Sequence, residues 1–120
     1  MKENSKTLKV TPAGRRFMGF LASFNSGDVE DLREFIQAHY TENALAEYSL
    51  DSLLNWHREI YEQTGGIKIH KIFFSEEYYI MAIVEARADG ALYLDKMKVD
   101  DTHPYKVIEY LHDELPDQMR

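Results

Sequence analysis

A chain of 120 residues has the size of one domain, and 44% hydrophobic with 12% aromatic residues suffices for a core, which excludes two ordinary domains and disorder. Fourteen Lys and Arg against 21 Asp and Glu leave a net charge of -7, a field that repels phosphate backbones and speaks against a nucleic-acid partner. With no Cys there are no disulfides, thiolate metal sites or cysteine nucleophiles, and with no apolar run near the roughly 20 residues of a membrane span and no apolar leader in Met1 to Val10, a cytoplasmic protein is expected. Residues 1–10 read as an extension, 11–115 as a single domain and 116–120 as a tail.

Thr11-Pro12 opens the first helix, Thr as cap and Pro in the first turn, and Val10, Ala13, Phe17, Phe20, Leu21 and Phe24 recur at three- and four-residue steps. Asn25-Ser26-Gly27-Asp28 closes it, with Gly27 suited to a left-handed cap and Asp28 placed to cap the next helix. Val29, Leu32, Phe35, Ile36 and Tyr40 form the inner side of that second helix. Residues 41–48 carry a short signal that fits a helix or an extended segment. Ser49 or Asp51 then caps a third helix running to about Thr64, with Leu50, Leu53, Leu54, His57, Ile60 and Tyr61 on one side, and Gly65-Gly66 stops it.

From Ile67 the apolar period changes to two, giving strands near 67–74, 78–87, 91–100 and 105–113 joined by short links, among them the hairpin signal Asp89-Gly90. The order predicts an α+β fold in which three N-terminal helices pack on a curved antiparallel sheet of four or more strands. In the second strand Tyr79, Met81 and Ile83 alternate with Ile80, Ala82 and Val84, so both faces of the sheet need cover and the helices supply only one. A homodimer through the sheet is the expected remedy; the alternative is a return of the chain, from beyond Leu115 or from before Val10.

The run Phe20-Leu21-Ala22-Ser23-Phe24-Asn25-Ser26-Gly27-Asp28, then Leu32 and Phe35, then Gly65-Gly66-Ile67-Lys68-Ile69-His70-Lys71-Ile72, resembles the nuclear-transport-factor-2-like (cystatin-like) superfamily. It is most similar to accessory domains beside bacterial serine hydrolases and tail-specific-type proteases. The resemblance covers roughly residues 11–113 and implies a cone-shaped fold with a pocket, frequent pairing through the sheet, and no reaction assigned to the domain itself. Isomerases of this superfamily use an acidic base with Tyr and protonated Asp as oxyanion donors, the Tyr lying on the first helix. Here the inward positions of that helix are Phe17, Phe20, Leu21 and Phe24, so that arrangement is not expected.

The candidate pocket residues are Phe20, Phe24, Trp56, His57, His70, Tyr93 and Asp95. The aromatic members serve equally as core. His57, three and four residues from Leu53, Leu54, Ile60 and Tyr61, is a buried imidazole that is either satisfied structurally or perturbed for acid–base work. His70 shares the parity of Ile72 and Phe74 and falls on the concave face or near an edge. Asp95, between Tyr93 and Met97 in an apolar pattern, is a base of raised pKa or, as the expected use, half of an ion pair with Arg87. Tyr110 and Glu109 belong to the same possible wall. No two His stand four apart on a helix, and no calcium loop, nucleophile elbow, phosphate loop or dinucleotide fingerprint is present, so neither metal nor cofactor is expected. The chain reads as a non-enzymatic module that binds a small apolar or amphipathic ligand or a partner protein. The alternative is a small-molecule enzyme of isomerase, cyclase or hydrolase type with His57, His70 or Asp95 as general acid or base.

Overall fold

A computed structural model describes residues 11–119; the expected extension, residues 1–10, lies outside the described residues. Thr11 holds the incoming chain extended while its Oγ1 accepts from the Gly14 N–H at 2.9 Å, and Pro12 stands in the first turn of α1 (Pro12–Asn25). Asp28 takes the same part for α2 (Val29–His39), its Oδ1 accepting from the Glu30 N–H at 2.9 Å. The link between these helices turns at Gly27, φ 75, where a Cβ would come 2.7 Å from the Tyr61 hydroxyl, so conformation and space both demand glycine.

Residues 42–48 form a helix of their own, so four helices rather than three precede the sheet: α3 (Glu42–Tyr48) is capped by Thr41 and followed at once by α4 (Leu50–Thr64). One residue makes the break. Ser49 adopts φ 65, closing α3, while its Oγ accepts from the Ser52 N–H at 3.1 Å and so starts α4. Neither Gly nor Pro marks this junction. Gly65 then ends α4 in the left-handed conformation.

The strands β1 (Ile67–Ser75), β2 (Tyr79–Ala86), β3 (Leu92–Val99) and β4 (Val107–Glu114) form one antiparallel sheet in sequence order. Asn25 ties the end of α1 to its first strand: Nδ2 donates to the Ile67 carbonyl at 2.8 Å and Oδ1 accepts from the Ile67 N–H at 2.9 Å. Ile80, Ala82 and Val84 of β2, with Met97, Val99, Val107 and Tyr110 of the next strands, face the helices and share a core with Phe17, Phe20, Phe24, Phe35, Leu54 and Ile60. On the opposite face Ile83 and Leu94 pack beneath Leu115, itself 2% exposed, with Met119 from a final 3-10 turn (Asp117–Met119) against the same group. The chain's own C-terminal segment therefore covers this part of the second apolar row. Register shifts in β1, between Ile69 and Lys71 and between Ile72 and Phe74, and one between Lys98 and Val99 opposite β4, bend the sheet and break strict alternation.

Candidate functional site

β4 is an edge strand, and beside it lies the first of the possible site features, an apolar pocket of about 250 Å³ between β4 and the helices α3 and α4. Tyr40, at the end of α2, forms its floor with Leu53, while Tyr48, Trp56 and Tyr110 supply aromatic wall and Ile108 and Leu111 the aliphatic side. Among the described residues Glu109 is its charged member, and neither Lys nor Arg lines it. The volume lies just below the range usual for small-molecule sites, and the lining, mostly hydrophobic with few polar groups, is of the usual kind.

Behind this wall runs the second feature, a buried polar network. Tyr110 donates its hydroxyl to Asp95 Oδ2 at 2.5 Å, and His112 Nδ1 donates to Asp95 Oδ1 at 2.6 Å. Asp95 is 1% exposed, and burial pushes its pKa up, a shift that the hydrogen bonds and charge of His112 and the hydroxyl of Tyr110 oppose. The Tyr110 phenol is pushed well above its usual range, first by burial and then by the carboxylate beside it. A little further into the core the Tyr40 hydroxyl stands 2.9 Å from His57 Nε2. Burial lowers the His57 pKa to about 4, partly opposed by the Leu53 carbonyl one turn back, so the ring is neutral at pH 7 and Nε2 accepts from Tyr40 when Nδ1 holds the proton. Burial likewise raises the Tyr40 phenol.

The aromatic rings join the two features. Trp56 lies 5.2 Å from the His57 ring and 5.7 Å from that of Tyr110, and Phe20 packs on Tyr110 at 4.6 Å and on His57 at 5.6 Å. Both inner tyrosines turn their hydroxyls to buried acceptors, His57 for Tyr40 and Asp95 for Tyr110, and this leaves their rings as the surface the pocket meets.

Of the seven residues expected to line a pocket, Trp56 lines this one. Phe20 is a core hub, and Phe24 is core whose ring borders a separate depression with Gly27, Leu32 and Tyr61. His57 and Asp95 sit behind the wall rather than on it. Tyr93 stacks on His112 at 4.4 Å. His70 lies on the solvent side of β1, half exposed and 3.8 Å from Glu85, because the bulges in β1 shift it off the parity of Ile72. The ion pair expected between Asp95 and Arg87 does not form: Asp95 is held by Tyr110 and His112, and Glu85 pairs instead with Lys68 at 4.0 Å. His112 and Tyr40 had no motif to mark them. The signal open to sequence reasoning was His112 two residues beyond Tyr110 in a strand paired with the Asp95 strand.

Among the described residues no group of three or more His, Cys, Asp or Glu is placed to hold a metal ion, and no helix is long and apolar enough to cross a membrane. Comparison of the chain with protein-family models, curated proteins and solved structures gives no match.

Proposed function

We propose that this chain is a non-enzymatic binding module of the nuclear-transport-factor-2-like kind, taking a small apolar or amphipathic ligand in the pocket between β4 and α3–α4. The observation that carries the reading is the use made of the acid–base groups: both Asp95 and His57 are spent on holding tyrosine hydroxyls inside the protein, while the pocket itself is walled by rings and aliphatic chains. A general acid or base has to reach the reacting proton directly or through one water. Asp95 and His57 reach phenols. A ligand that binds only the native state raises its stability, so thermal shift with small aromatic compounds tests the reading. Ser52→Phe, which places a ring at the lining without touching the cap made by the Ser52 N–H, should abolish the shift while leaving the unliganded protein folded.

One observation favours the enzymatic alternative. His112 donates through Nδ1 to Asp95 while its buried Nε2 has no hydrogen-bond partner among the described residues, the polarity of a carboxylate-oriented base. It takes second place because His112 does not line the pocket. Turnover of any bound compound that is lost in His112→Gln, with binding retained, would reverse the order.

Pairing of two copies through the sheet belongs to the same proposal and rests on the surface the C-terminal segment leaves open. Phe73 and Phe74 are 46% and 40% exposed, and Phe74 meets Tyr79 at 5.9 Å beside the half-buried Met81. Sedimentation at micromolar concentration tests it: Phe74→Lys should return a dimer to the 14.1 kDa species, and a wild-type chain of that mass at all concentrations would remove the dimer.

A further inference from the structure

Four of the pocket's lining residues are aromatic, Tyr40, Tyr48, Trp56 and Tyr110, and two of these have their hydroxyls turned away to buried acceptors. Such a wall offers ring surface with little hydrogen-bonding capacity, and the negative face of an aromatic ring suits a weakly hydrated cation as well as a hydrocarbon. What separates the two is the charge around the mouth. Glu109 lines the pocket, and Glu47 precedes the lining residue Tyr48, which is 47% exposed. Both carboxylates act on the Tyr48 phenol and raise its pKa, Glu47 most strongly and Glu109 least, and Glu109 acts on Tyr79 across the sheet as well. Among the described residues neither forms an ion pair with Lys or Arg; Lys98, the cross-strand neighbour of Glu109, makes none with it. The whole chain adds a net charge of -7.

We propose that the ligand is a small hydrophobic cation, an aryl- or alkyl-substituted ammonium, seated between Trp56 and the tyrosine rings with its charge beneath Glu47 and Glu109. The proposal rests on the pocket reading above and narrows it. A volume of about 250 Å³ admits a molecule on the order of ten non-hydrogen atoms. The aromatic wall supplies dispersion and cation–π attraction, and the carboxylates supply the sign preference, excluding an anion of the same shape.

Trp56 is the chain's single tryptophan and lines the pocket, so its fluorescence reports occupancy. Three probes of nearly equal shape are titrated into the full chain: benzyltrimethylammonium, the neutral benzyldimethylcarbinol, and the anionic phenylmethanesulfonate. The cation should bind about fivefold tighter than the neutral compound, and the anion should bind weakest. In the double variant Glu47→Gln, Glu109→Gln the cation should lose about threefold or more while the neutral compound is unchanged. Equal or tighter binding of the neutral compound or the anion overturns the cation assignment and leaves the pocket reading standing. A cation preference untouched by the double variant overturns the role of the two carboxylates. Failure of all three probes to change Trp56 emission at millimolar concentration overturns both readings.

Discussion

Tyr110 on β4 donates its hydroxyl to Asp95 on the neighbouring strand β3, a diagonal contact in which a carboxylate 1% exposed fixes the ring that walls the pocket. Diagonal neighbours on one sheet face stand about 7–8 Å apart at their backbones, a gap that a tyrosine and an aspartate span together. With Tyr110 and His112 both donating to it, the carboxylate is a structural anchor.

The costs of removing the two partners should therefore be non-additive. Tyr110→Phe leaves a buried carboxylate short of a donor and should destabilise the fold by about 1–3 kcal/mol, with Asp95→Asn in the same range. The double variant should cost less than the sum, with a coupling of about 1 kcal/mol or more in denaturant titrations. Additive costs would show that the two side chains do not act together.

Stability should also depend on pH through His57. Its folded pKa of about 4 lies below the ordinary value of 6.5, so the unfolded chain takes up the proton first: the contribution is fully present above pH 6.5 and is lost as pH falls towards 4. The loss amounts to about 3 kcal/mol. Asp95 acts in the opposite sense, since its raised pKa gives stability that is present below its unfolded value and lost as pH rises through the folded one. His39, lowered by burial and then by Arg16, adds to the His57 trend. The comparison that isolates His57 is the slope of unfolding free energy between pH 4 and 6.5 in wild type against His57→Gln, and the variant should have the shallower slope.

The α3–α4 junction gives a local test. Ser49→Ala removes the cap on Ser52 and keeps a side chain at φ 65, so it should cost about 1 kcal/mol. Ser49→Gly loses the same cap but is relieved of the left-handed penalty, and it should be the more stable of the two in thermal unfolding.

Much of the fold was legible because its determinants are local. Thr11, Asp28 and Ser49 cap as their residue types and spacing predict, and Gly65 ends α4 for the reason given by its lack of a Cβ. The core stripe Phe17, Phe20 and Phe24 is buried as its period requires, and Phe24→Ala should cost about 3–5 kcal/mol. The site was less legible because it depends on register. Bulges in β1 moved His70 to the outer side, and the shift opposite β4 hid which residue faces Asp95. The separate helix α3 was unreadable for another reason: a serine at positive φ, not glycine or proline, makes its boundary.

The central claim, that the rings held by Asp95 and His57 wall a ligand site while the acid–base groups stay behind them, is tested most directly by nuclear Overhauser contacts from bound benzyltrimethylammonium to the aromatic side chains. The account predicts contacts to the Trp56, Tyr48 and Tyr110 rings and none to the His112 imidazole. Contacts to His112 without contacts to Trp56 would contradict it, placing the ligand at the buried Asp95–His112 pair.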